Sequence, residues 1–255
     1  MYTFNSRIRY TETDLEQYLT LESLIDYFQD CSTFQTQEGP ATIEYMEERG
    51  LAWVINSWQV VVKRLPHLGE KVTIGTLPYE LKGFIGMRNF FMDTEDGERL
   101  SLANSVWSLI NIKEGSPYRI DDAVVATYPL DEKLPMNYEA RKIAMPDTSE
   151  IYEADSKKVG MHHLDSNHHV NNGQYIRIAL QAFDAVAKRE ELEDLRTLAE
   201  SRDGIQLRAE YRQQAHLGDV ISPVVYIKDG VYTAFLNDTN GKPYSIVEIK
   251  RIEKC

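Results

Sequence analysis

Apolar positions recur at helical spacing in two distant parts of the chain. In the first, Leu21, Leu24, Ile25 and Phe28 follow i, i+3, i+4, i+7. In the second, Ile176, Ala179, Leu180, Phe183 and Ala187 make the same kind of stripe. Each half is thus predicted to carry one long amphipathic helix. A shorter polar helix is expected after each, over "TIEYMEERG" and "KREELEDLRTLAESRDG", each closing at a glycine, Gly50 and Gly204. Further on, runs such as "LSLANSVWSLINI", "VYTAFLN" and "YSIVEIKRI" are rich in β-branched and aromatic residues and read as strands. Asp96-Gly97, Asp229-Gly230 and Asn240-Gly241 suit tight hairpin turns, because glycine tolerates positive φ.

The two halves align with one another. Residues 10–28, "YTETDLEQYLTLESLIDYF", laid on residues 161–179, "MHHLDSNHHVNNGQYIRIA", bring Asp14 onto Asp165, Leu19 onto Val170 and Ile25 onto Ile176, a shift of 151 residues. "HLGEKV" from His67 and "HLGDVI" from His216 repeat at a shift of 149. The chain therefore reads as an internal duplication. The mixed stretch 113–150, with Pro117, Pro129, Pro135 and Pro146, reads as the connection. One helix on one curved sheet buries its faces poorly, whereas two such units joined edge to edge can share a continuous sheet. The expected fold is α+β, with an N-terminal unit over 1–130, a linker over 131–150 and a C-terminal unit over 151–255.

Composition narrows the function. With 255 residues, 42% of them hydrophobic, the chain can build a sizeable core. Its net charge of −12 argues against general binding to nucleic acid or an anionic membrane. No apolar run approaches the roughly 20 residues of a membrane helix, and "MYTFNSRIRY" lacks the pattern of a signal peptide. Two cysteines, Cys31 and Cys255, make no disulfide framework and fit a reducing cytoplasm. Cys31 is expected to be a buried filler and Cys255 a frayed terminus.

The chemistry concentrates at "LDSNHHVNNGQYI", residues 164–176, where an acid, four side-chain amides and two histidines precede the second helix. Asn167 faces Glu16 of the first half, His169 faces Tyr18, and Asn171 and Asn172 face Thr20 and Leu21. The helix is duplicated and the polar cluster is not, which favours one active site per chain. N–H groups at a helix start can bind an oxygen gaining negative charge. Asn167 can orient a water or a carbonyl, His169 can move a proton near neutral pH, and Asp165 can fix a histidine tautomer. Together these suit acyl transfer to water. Asn171 and Asn172 also read simply as a helix cap or a turn. His162, His163, His168 and His169 form no metal tetrad, because neighbours on extended chain face opposite sides. No cofactor is expected. Trp53, Trp58 and Trp107 lie in strand-like runs and are expected in the core.

Asp165-x-Asn167-x-His169-Val170-Asn171-Asn172, followed by Tyr175-Ile176, resembles the signature of the acyl-acyl carrier protein thioesterases, the plant fatty-acyl thioesterases and their bacterial relatives. "DYFQ" from Asp26, Trp58, "LGEKV", "ANSVWSLIN" from Ala103 and "EYRQQAHLGD" from Glu210 extend the resemblance over nearly the whole chain. It implies a tandem (double) hotdog and hydrolysis of fatty-acyl thioesters on acyl carrier protein. It implies catalytic roles for Asp165, Asn167 and His169. Plant members carry a Glu-Cys pair where this chain has Gln214 and Ala215. Ala215 excludes a cysteine nucleophile there, and Gln214 cannot be a carboxylate base, though it can hold a water. Two routes stay open: His169 deprotonating a water held by Asn167 and Gln214, or Asp165 attacking the thioester to form an anhydride. The implied partner is an acyl carrier protein. Because that partner is acidic, Arg141-Lys142, Lys157-Lys158 and Arg177 are the candidate docking face. A homodimer is compatible with this reading. A coenzyme A thioesterase, a hydratase and a non-catalytic acyl-carrier binding protein are the competing readings.

Overall fold

The computed structural model describes residues 1–147 and 150–252, so the terminal Cys255 lies outside the described residues. The first half runs β1 (Tyr2–Arg7), α1 (Leu21–Glu38), α2 (Ile43–Glu48), β2 (Leu51–Arg64), β3 (Lys71–Lys82), β4 (Ile85–Thr94), β5 (Arg99–Asn111), β6 (Ser116–Pro117) and α3 (Asp122–Thr127). The second runs β7 (Glu150–Glu153), β8 (Lys157–Lys158), α4 (Asn172–Arg189), α5 (Glu193–Ala199), β9 (Asp203–Tyr211), β10 (Val220–Lys228), β11 (Val231–Asn237) and β12 (Pro243–Arg251). The chain groups into two compact units. One comprises 1–20, 26–60 and 65–141, and the other 21–25, 61–64 and 142–255.

In the first unit the strand order is β1-β3-β4-β5-β2. The hairpins are antiparallel, with Ile74 opposite Met92 and Phe90 opposite Ala103. Alternation sends one set of side chains toward α1. There Phe28, Trp58 and Phe90 pack with ring centroids 5.0 to 6.1 Å apart. Cys31 is a buried thiol 3.7 Å from the Ile74 carbonyl. Gly75 permits a close approach, since a Cβ there would come within 2.2 Å of the Phe91 ring. Trp58 is core as expected, while Trp53 and Trp107 are half-buried.

The other set of side chains holds the connecting segment. Asn89 Oδ1 accepts from the Leu134 N–H and the Tyr138 hydroxyl, each at 3.0 Å. The Gln59 amide donates to the Asn137 carbonyl at 2.7 Å and accepts from the Glu139 N–H at 3.0 Å. Both side chains are buried, so these bonds satisfy groups that would otherwise be costly. The expected linker is therefore a strap laid along the sheet, and its order comes from two buried amides in the strands.

The second unit has the order β9-β12-β11-β10-β7, with α4 against β10, β11 and β12. The last four residues of β2, Val61–Arg64, group with this unit. The strap continues here through Ile143, whose N–H donates to Glu210 Oε2 at 2.7 Å and whose side chain packs on Phe235 and Ile246. One expectation needs correcting. Gly204 does not end the polar helix: α5 stops at Ala199, and Gly204 lies at the start of β9 with φ +62°. The second half leads in with two short strands, β7 and β8, both paired with β10. The expected turns hold, with positive φ at Gly97, Gly230 and Gly241.

Candidate active site

After a 3₁₀ turn at Met161–His163 the chain doubles back, and Leu164 bridges Val170. Asp165 organises the loop between them. Its N–H donates to the His169 carbonyl at 2.9 Å, and its carbonyl accepts from the His168 N–H at 3.1 Å. Its Oδ1 accepts from the N–H groups of Asn167 at 2.8 Å and His169 at 3.4 Å. His168 takes the left-handed conformation that closes the turn, φ +61°. Asn167 is left exposed and His169 half-buried on the same loop.

Asn171 then caps α4, its Oδ1 accepting from the Gly173 N–H at 2.8 Å. The Gln174 N–H donates to the Asn171 carbonyl. Two N–H groups at the helix mouth are therefore already bound, which corrects the expectation that they stand ready for an oxyanion. Asn172 is the first helical residue, and its carbonyl accepts from the Tyr211 hydroxyl at 3.1 Å. The capping reading of the Asn-Asn pair is the one the geometry supports.

A second segment closes on this loop. The Val170 N–H donates to the Ala215 carbonyl at 3.0 Å, and the Ala215 N–H donates to the buried Tyr175 hydroxyl at 2.9 Å. This places Gln214, Ala215 and His216 alongside His169 and Val170. Gln214 is exposed and Ala215 is buried. The rings of His169 and His216 meet edge to face at 4.8 Å. Burial lowers the pKa of His169 from its ordinary value, and His216 lowers it further, while Asp165 pulls the other way. His169 is thus poised as a neutral imidazole near pH 7, the form that accepts a proton. His163 also lies low, chiefly through burial, and its Nδ1 accepts from the Gly160 N–H at 2.9 Å. His216 is the neighbour that reading the sequence missed. Its signal was the repeated "HLG", which marked it as structure and gave no hint that it folds onto His169.

The first unit contains the same frame. Asp14 Oδ1 accepts from the N–H groups of Glu16 and Tyr18 at 2.9 and 3.0 Å, Gln17 has φ +67°, and Tyr18 meets the His67 ring at 5.1 Å. The Leu19 N–H donates to the Pro66 carbonyl as Val170 does to Ala215. The frame is common to both units. Asn167, His169 and Gln214, which stand where the first unit has Glu16, Tyr18 and Leu65, are not.

The family model for the Acyl-ACP thioesterase N-terminal domain matches residues 1–128, half of the chain. The chain belongs to the acyl-ACP thioesterase family. Over 193 residues it is 28% identical to a chloroplastic acyl-[acyl-carrier-protein] hydrolase of Cuphea viscosissima, covering 70% of this chain and 46% of that protein. The chain spans about half the length of the curated relatives it matches. An acyl-ACP thioesterase structure from Bacteroides thetaiotaomicron superposes with a TM-score of 0.81 at 18% identity, covering 97% of this chain and 96% of the other. The 12:0-ACP thioesterase from Umbellularia californica gives 0.74 at 17%, covering 98% and 96%. These likenesses establish the double hotdog fold.

Among the described residues of this family member, no helix is long and apolar enough to cross a membrane. The basic residues proposed for docking are all exposed: Arg141, Lys142, Lys157, Lys158 and Arg177. Lys157 and Lys158 sit beside the site, since Val159 exchanges hydrogen bonds with Gly218 and Asp219. Arg177 lies 3.6 Å from Glu22.

Proposed function

We propose that this family member hydrolyses fatty-acyl thioesters carried on acyl carrier protein, releasing the free fatty acid and holo-carrier and so terminating chain synthesis. The observation that carries the proposal is the second-unit loop, where a frame shared by both units presents an imidazole at position 169 in place of a phenol. Its support for a carrier-bound substrate is the family and the names of its relatives.

The loop geometry favours the water route. The Asp165 Oδ1 is engaged with two backbone N–H groups, and Asp14 does the same in the unit without the imidazole. Asp165 is accordingly a positioning residue. His169 takes a proton from a water oriented by the amides of Asn167 and Gln214. The resulting hydroxide adds to the thioester carbon, the C–S bond then breaks, and the leaving thiolate takes up the proton. Gln214 supplies a hydrogen bond where a carboxylate would supply a base. Lys157, Lys158 and Arg177 are the proposed face for the acidic carrier. A reducing cytoplasm suits the free thiol of Cys31. The functional division remains 1–130, 131–150 and 151–255, with the chemistry in the last.

The test is thiol release from C8 to C18 acyl-carrier and acyl-coenzyme A thioesters, with His169→Ala alongside. Turnover of carrier-bound substrates that the variant loses supports the proposal. Turnover of coenzyme A esters alone makes the chain a coenzyme A thioesterase. Carrier binding without turnover of either class makes it a binding protein.

A further inference from the structure

Tyr175 on α4 is 2% exposed, and its hydroxyl accepts from the Ala215 N–H at 2.9 Å. Burial raises its pKa, the Ala215 N–H opposes that, and Tyr244, Asp219 and Asp165 add to it, so the side chain stays a neutral phenol. The bond ties the helix to the segment that carries Gln214 and His216. Gln214 makes no hydrogen bond of its own among the described residues, so its aim depends on its neighbours. On one side, the N–H groups of Arg212 and Gln213 donate to the Tyr244 carbonyl at 2.9 and 3.1 Å. On the other, Ala215 is held at its carbonyl by Val170 and at its N–H by Tyr175, and the His216 N–H donates to Asp219 Oδ2 at 2.8 Å.

The first half has no counterpart of this tie. At the shift of 151, Tyr175 stands where the first half has Leu24, which lacks a hydroxyl. At the shift of 149, Ala215 stands where it has Pro66, which lacks an N–H. Acceptor and donor are therefore both present with the imidazole loop and both absent with the other. The remaining bond is common, since Leu19 donates to the Pro66 carbonyl as Val170 does to that of Ala215. A buried N–H needs an acceptor, but Pro66 shows that this backbone can be built with no N–H to satisfy. The tie is an addition that accompanies the chemistry.

We infer that Tyr175 is a positioning residue for the proposed hydrolysis: its hydroxyl, through the Ala215 N–H, holds Gln214 beside the attacking water and His216 against the His169 ring. The role in turnover rests on the proposed function, and the tie itself rests on geometry. Losing the hydroxyl frees the segment to swing away from His169. Burial, the largest influence on that imidazole, disfavours its charge, as do His216 and His168, while Asp165 favours it. A looser segment weakens both burial and His216, so the pKa of His169 rises toward its ordinary value.

Tyr175→Phe removes the hydroxyl and keeps the ring. The first readout is the NMR titration of His169, its signal assigned by its loss in His169→Ala. Tyr175→Phe should raise that pKa. Tyr211→Phe deletes a hydroxyl that donates to the Asn172 carbonyl, away from the tie, and should leave the pKa in place. The second readout is thiol release from acyl-carrier substrate. Tyr175→Phe should lower kcat about tenfold, the worth of one hydrogen bond, with KM within about twofold and the acid limb moved to higher pH. An unchanged pKa or an unchanged kcat overturns the inference, and so does an equal pKa rise in Tyr211→Phe. Ala215→Pro copies Pro66 and leaves the hydroxyl nothing to hold, so in that background Tyr175→Phe should change neither readout. A full effect there means that the hydroxyl acts by another route, and overturns the inference. Should Tyr175→Phe alone fail to fold, the Ala215→Pro background, which strands no N–H, decides on the same terms. A wild type that releases no thiol refutes the hydrolysis, and the titration, which needs no substrate, still decides whether Tyr175 holds His216 on His169.

Discussion

The loop at 14–19 and the loop at 165–170 have nearly the same backbone and different chemistry. In each, an aspartate accepts two N–H groups, the fourth residue has positive φ, and the ring of the fifth meets a histidine edge to face. The first loop presents Glu16 and Tyr18, and the second Asn167 and His169. The molecule thus contains its own control. What is common to both loops serves folding, and what differs is available for catalysis. By that criterion Asp165 and His216 belong to the frame, while Asn167, His169 and Gln214 are the proposed functional set.

The largest effect that tests this division is at His169. His169→Ala should lower the rate of thiol release by at least about 10²-fold with little change in melting temperature. Tyr18→Phe, at the matching place, should leave the rate within a factor of about two, far below the loss a general base carries. A comparable loss from both would erase the distinction between the loops.

The aspartates come next. Asp14→Ala and Asp165→Ala should each destabilise the chain by about 1–2 kcal/mol, since each strands two N–H groups, as urea denaturation would show. Asp165→Asn keeps an accepting oxygen and should retain activity within about tenfold. An attacking carboxylate would lose nearly all activity in that variant, so the same assay separates the two routes. Gln214→Ala should cost about tenfold in kcat/KM, the worth of one water-holding hydrogen bond.

The smallest effect is on pH dependence. His169 must be neutral to accept a proton, so the rate falls as pH drops through its lowered pKa. His216 disfavours charge on His169, so His216→Phe should move that acid limb to higher pH. A limb that stays in place or moves lower would show that His216 does not act on His169 through charge.

Much of this was legible in the residues, because duplication leaves a record in two places. The 151-residue shift exposed the helix pair, the matched aspartates and the unmatched His169. The signature resemblance then supplied the fold and the family. The rest depended on contacts between distant segments. The strap is ordered by Asn89 and Gln59, whose burial in a strand interior no local pattern reveals. His216 reaches His169 only because Ala215 pairs with Val170. The helix mouth looked open for an oxyanion because composition offers Asn171 as a cap without showing that its Oδ1 accepts from the Gly173 N–H. Gly204 misled for a similar reason: positive φ serves a strand start as readily as a helix end.

The most direct measurement transplants the side chains of one loop onto the other. Asn167→Glu with His169→Tyr gives the second loop the residues of the first on a backbone both already share. The expected result is a melting temperature within a few degrees of wild type, since a change below about 1 kcal/mol moves it little, with thiol release from acyl-carrier substrate lowered at least about 10²-fold. Retained turnover in a folded double variant would contradict the assignment of the chemistry to these side chains.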